Sequence, residues 1–85
     1  MSLVMQIIQA VTATERQIDD QMTKLNAYSR NVDEVLQRVQ TELSGSTQQS
    51  VNEMISQLQQ TKNQVDDTLQ KLQSAKDKLV QVRAI

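Results

Sequence analysis

Carboxylates are the richest chemical resource of this 85-residue chain: ten Asp and Glu, with adjacent pairs at Asp19-Asp20 and Asp66-Asp67. Two carboxylates can divide general acid and general base work only if both address one reacting atom. Neighbours on a helix diverge by about 100° and do not converge on a point. The chain has no His and no Cys, which removes the commonest general base, imidazole and thiolate metal ligands, and disulfides. It carries no Gly-rich phosphate loop, no Ser/His/Asp set and no metal-ligand spacing. Tyr28, the single aromatic residue, flanks an apolar seam and reads as packing with its hydroxyl at the edge. These residues predict a protein that is not an enzyme and takes no cofactor, metal ion or small-molecule ligand.

The elements that carry these side chains are legible from composition and period. Apolar residues make up 38% of the chain, charged residues 22%, and Gln is abundant, which suits long solvent-bathed helices with narrow apolar seams. The net charge is −1 and the bases are dispersed, so the footprint of a nucleic-acid binder or a polybasic membrane anchor is missing. The opening Met-Ser-Leu-Val-Met-Gln-Ile-Ile-Gln-Ala-Val is apolar but interrupted by Gln6 and Gln9 and lacks basic residues. Its apolar runs are too short for a signal peptide or a membrane span, so no membrane insertion and no cleavable leader are expected. A chain without Cys is compatible with any redox compartment.

Steps of four and three from Val4 give Val4, Ile8, Val11, Glu15, Ile18, Met22, Leu25, Ser29, Val32, Leu36, Val39 and Leu43. Ten of these twelve are apolar, the pattern of a coiled-coil-like helix over about residues 3–43. Ile7, Tyr28 and Val35 widen that stripe. A second series, Val51, Met54, Leu58, Thr61, Val65, Thr68, Leu72, Ala75, Leu79 and Val82, predicts a helix over about 47–83, with Ile55 and Leu69 broadening its seam. Asp20/Lys24, Glu34/Arg38 and Asp67/Lys71 are acid-to-base pairs four residues apart, each worth about 0.2–0.5 kcal/mol.

Gly45 is the only glycine and proline is absent, so Leu43-Ser44-Gly45 is the one turn signal between the helices. Gly45 can take the left-handed conformation that ends a helix, and Ser46 with Gln49 can form a capping box for the next. The expected fold is all-α: an antiparallel two-helix hairpin with its turn at 44–46 and helices roughly 55 Å long. Opposed residues should then have numbers summing to roughly 94. Ser29, Thr61 and Thr68 form a polar-tinged middle layer, either through hydroxyl bonds to their own helix or through close helix approach. Residues 3–8 have no counterpart in the second helix. Leu3, Val4, Met5, Ile7 and Ile8, continued by Val11, therefore form a candidate protein-binding surface, to which Ile55 and Leu69 add on the second helix. Because two helices share only one seam, pairing into a four-helix bundle dimer is expected, as a homodimer or as a heterodimer with another helical protein.

Two long amphipathic helices about a central Leu43-Ser44-Gly45 resemble the WXG-motif small proteins of type VII secretion, the early-secreted-antigen type. The likeness spans nearly the whole chain. It rests on pattern, on Gly45 two residues after Leu43, and on the following Val51-Asn52-Glu53-Met54. The resemblance implies a helical-hairpin dimer that is secreted without a cleavable signal peptide, or held in the bacterial cytoplasm before export. Leu43 stands where that family has Trp, and the Tyr-x-x-x-Asp/Glu export signal is missing from the closing Lys78-Leu79-Val80-Gln81-Val82-Arg83-Ala84-Ile85. What is implied is a divergent member, such as a partner that binds the helical targeting region of a larger effector. A structural coiled-coil module with no secretion role is the alternative reading. A needle subunit of another secretion system ranks lower, because those hairpins turn through a Pro-containing loop.

Overall fold

The computed structural model describes residues 2–43, 45 and 48–84. It contains two helices, α1 (Leu3–Glu42) and α2 (Gln49–Arg83), folded back on one another as an all-α helical hairpin. The hairpin is a rod of 65 × 15 × 15 Å with a radius of gyration of 19.2 Å. A compact chain of this length would have a radius of about 12 Å.

Each helix boundary has a local cause. Ser2 is extended and its Oγ accepts the Met5 N–H at 3.2 Å, which satisfies one of the orphan donors of the first turn of α1. At the other end the Leu43 N–H still reaches Val39 O at 2.9 Å. Gly45 follows with φ +84, the left-handed geometry expected of the residue that turns the chain. Ser44 and Ser46, assigned to the turn, lie outside the described residues. The capping box assigned to Ser46 and Gln49 falls partly outside the described residues; Gln48 occupies the N-cap position of α2, which starts at Gln49. The Gln49 amide donates forward to Glu53 Oε1 at 3.0 Å, a same-helix bond that competes with a backward-reaching cap.

On α1 the inward line follows the four-and-three spacing. Val11, Ile18, Met22, Leu25, Ser29 and Val39 are half-buried, and Val32 and Leu36 are buried. On α2 the alternate positions differ from the sequence pattern. Val51, Leu58, Val65, Leu72 and Leu79 face α1, but Met54, Thr68, Ala75 and Val82 are exposed. Ile55, Lys62, Leu69 and Lys76 take the places beside the seam and are half-buried. Apolarity alone favours Ile55 over Met54 and Leu69 over Thr68, but Thr61 over Lys62 and Ala75 over Lys76. The lysines win because their aliphatic stems cover the seam while their ammonium groups extend to carboxylates on α1.

Contacts between the helices define the register. Partner numbers add to 95 for Asp33–Lys62, Ser29–Asp66 and Asp19–Lys76, close to the roughly 94 set by a short turn. Thr61 and Thr68 bond back to Gln57 O and Gln64 O, both at 2.9 Å, the local arrangement expected of hydroxyls on a helix. Ser29 does otherwise and donates across the seam to Asp66 Oδ1, at a long 3.4 Å.

A Cβ at Gly45 would meet nothing within 4 Å, so only backbone strain opposes a side chain there. Gly45→Ala is expected to lower unfolding stability by about 1–2 kcal/mol, and Gly45→Asn by less, in thermal melts followed by circular dichroism. Equal melting temperatures for all three chains would contradict a strained turn.

Candidate partner-binding surface

The hairpin leaves unusual amounts of surface uncovered. Its accessible area is 6552 Å², against about 5,100 Å² for a compact protein of this mass. Among the described residues the buried apolar side chains are Val32, Leu36 and Val65, in the half of the rod nearer the turn. Exposed apolar side chains concentrate at the start of α1, where Leu3 is 72% exposed, Val4 65%, Met5 53%, Ile7 49% and Ile8 38%.

What positions this patch is the unequal length of the helices, 40 residues in α1 against 35 in α2. Opposite the last turn of α2, Arg83 Nε donates to Glu15 Oε1 at 3.3 Å and makes an ion-pair contact of 3.2 Å with Glu15 Oε2. Glu15 stands at a seam position and is 7% exposed. Below this pair Val11 is still half-buried, and from Ala10 towards Leu3 every residue is exposed. The Ser2 cap and the Gln6 N–H to Ser2 O bond of 3.1 Å hold these residues in helical form, so the apolar side chains are presented on a continuous helix. The structure thus gathers Leu3, Val4, Met5, Ile7 and Ile8 into one surface. It does not add Ile55 and Leu69 to that surface: both are half-buried beside the seam between the helices, where α1 already uses them.

The adjacent carboxylates diverge. Asp19 pairs with Lys76 at 2.6 Å, Asp66 accepts from Ser29, and Asp67 pairs with Lys71 of its own helix at 3.3 Å. Among the described residues no group of three Asp, Glu, His or Cys is placed to hold a metal ion. No described helix is long and apolar enough to cross a membrane. The polar line that sequence reasoning passed over is the one on the seam. Lys62 meets Asp33 at 2.5 Å, and the two cross-helix lysine pairs lie two heptads apart on each helix. The available signal was that Asp19 and Asp33, fourteen residues apart, mirror Lys62 and Lys76 about the turn.

Comparison with family models finds no match, and none is found among curated proteins or solved structures. The geometry of the chain therefore carries its functional reading.

The electrostatics of the lysine pairs are straightforward. The hydrogen bond that the Lys62 ammonium donates to Asp33 holds it above its ordinary pKa, against partial desolvation. Asp19 does the same for Lys76, with Glu15 and Asp77 adding to the field. Because the folded values are raised, the contribution of both pairs is complete below about pH 10.4 and is lost as pH rises through the raised values.

Glu15 and Arg83 should respond unequally to mutation. Arg83→Ala strands a buried carboxylate and is expected to cost about 1–3 kcal/mol in urea unfolding at neutral pH. Glu15→Leu leaves a guanidinium that can turn to water and fills a seam position with an apolar side chain, so its cost should be close to zero. Matching losses for the two variants would show that Glu15 is not desolvated.

Proposed function

We propose that this chain works by helix–helix association as a small type VII secretion-associated hairpin, either a secreted substrate or the targeting partner of a larger effector. The observation that carries the reading is the exposed apolar overhang at residues 3–8, ordered by the Ser2 cap and left uncovered by α2. Five apolar side chains in six helical positions form a contiguous patch of the kind that marks a protein-interaction site. The setting of the turn, Leu43-Ser44-Gly45 between two long helices, supports the secretion assignment through its resemblance to the WXG-motif proteins. In this reading the protein is non-catalytic and completes a four-helix bundle with a second hairpin, its own or a partner's. It resides in the bacterial cytoplasm before export or leaves the cell without a cleavable leader.

A structural coiled-coil tether is the second reading. It is favoured by the cross-helix Asp–Lys pairs, which stabilise the hairpin without reference to any partner.

Co-expression with the helical targeting regions of effectors encoded beside it separates the two. A secretion partner should co-purify as a stoichiometric complex of defined mass. The double variant Val4→Asp, Ile8→Asp should weaken that complex at least tenfold, because charges at the patch must be desolvated on docking. Helix content by circular dichroism should be unchanged. A stand-alone monomer that ignores every such region would count against the secretion role, and an unweakened complex would reduce the overhang to a bystander.

A further inference from the structure

The two long flanks of the hairpin differ in charge in a way the seam dictates. With the inward residues of each helix labelled a and d of a heptad, one flank carries the e positions and the other carries g and then c. Asp19, Asp33 and Asp66 are e residues, and all take part in the cross-helix contacts of that side. The opposite flank has a different composition. Its g positions include Ile7, Tyr28 and Val35 on α1, and Met54, Ala75 and Val82 on α2, all exposed. Glu42 is the only charged residue among its g positions. Outside this strip stand the c positions, whose charged residues are Lys24 and Arg38 on α1 and Lys71 and Lys78 on α2. This one face therefore carries four bases and one acid, in a chain whose net charge is −1. Lys71 shares its charge with Asp67 in a pair that is open to solvent on both sides. The overhang joins the same face, since Leu3 and Ile7 fall at c and g.

From this distribution we infer that the g/c face is a docking surface for a helical partner whose apolar stripe is flanked by Asp and Glu. The inference rests on the association reading above and names the chemistry of the partner. Three features select this occupant. The face extends along a rod 65 Å long and 15 Å wide, enough for the roughly 800 Å² per partner that a stable interface buries. Its basic rims complement acidic flanks, whereas a second copy laid face to face would bring base against base. At mid-face the exposed Tyr28 and Val35 of α1 stand beside the smaller Thr61 and Thr68 of α2, an apolar ridge next to a shallow step on which a helix can seat its stripe. A lipid surface would instead draw on bulky Leu, Phe or Trp along the whole face, and here the large apolar residues are widely spaced.

The test uses the full chain and three synthetic amphipathic helical peptides with the same Leu/Ala stripe, flanked by Glu, by Gln or by Lys. Binding is followed by calorimetry or fluorescence anisotropy, alongside sedimentation of the chain alone and flotation with phosphatidylserine-containing vesicles. The Glu-flanked peptide should bind about tenfold tighter than the Lys-flanked one, and the difference should shrink as salt is raised. In the variant Lys24→Glu, Arg38→Glu, Lys71→Glu, Lys78→Glu the preference should reverse. All four sites are exposed, and the wild-type peptide series stands even if that variant fails to fold. Equal affinity for the three peptides overturns the inference. So does a concentration-dependent dimer that Tyr28→Glu with Val35→Glu dissociates, or vesicle binding without peptide discrimination. The association reading and this one fail separately. An effector region whose complex survives the charge reversal leaves the first standing and overturns the second. Glu-selective binding with no secretion partner does the reverse.

Discussion

Two helices side by side share a single line of contact, and each can turn only about two side chains in seven towards the other. That limit governs the rest of the hairpin. Among the described residues the buried side chains are Val32, Leu36 and Val65 in the turn-side half of the rod and Glu15 towards its other end, with half-buried residues between and beyond them. Because the seam is narrow, side chains bordering it must cover its edges. On α2 this role falls to Lys62 and Lys76, whose stems lie along the seam and whose ammonium groups meet Asp33 and Asp19. The ion pairs are exposed enough to be individually weak, so their larger value is in register: each lysine finds its acid in only one alignment of the helices. Glu15 and Arg83 mark the same alignment at the end of the rod.

Once this register exists, the unequal helix lengths become consequential. Ser2 starts α1 early enough that its first two turns run past the last turn of α2. Apolar side chains there would be unremarkable in an extended tail, but on a capped helix they form a surface. The same register decides which flank of the rod carries the cross-helix ion pairs. Lysines placed on the seam lean towards the e side, where Asp19 and Asp33 lie. The g side is left with uncharged residues and, farther out, with bases.

The adjacent carboxylates are spent on different partners, Asp19 across the seam and Asp67 along its own helix. Among the described residues the grooves are open clefts between surface side chains such as Asp33, Gln40, Gln59 and Lys62. The surface of the rod presents an apolar end and two flanks of different charge.

The sequence by itself determined the number of helices, the place of the turn and the inward line of α1. Those are local properties: period, a lone glycine, and the absence of proline act without reference to distant residues. It also contained the approximate register, because a short turn ties each residue to an opposite number. The inward line of α2 was decided only by the tertiary structure. On hydropathy Ile55 and Leu69 are better seam residues than Met54 and Thr68, but Thr61 and Ala75 outrank Lys62 and Lys76, and nothing local to α2 reverses that order at the two lysines. The reversal requires Asp33 and Asp19 to stand across the seam, where a lysine can be buried along its stem and satisfied at its tip. The helix turns by one position to allow it. That rotation places Ile55 and Leu69 beside the seam and Met54, Ala75 and Val82 on an open flank, a choice that exists only once both helices are in contact.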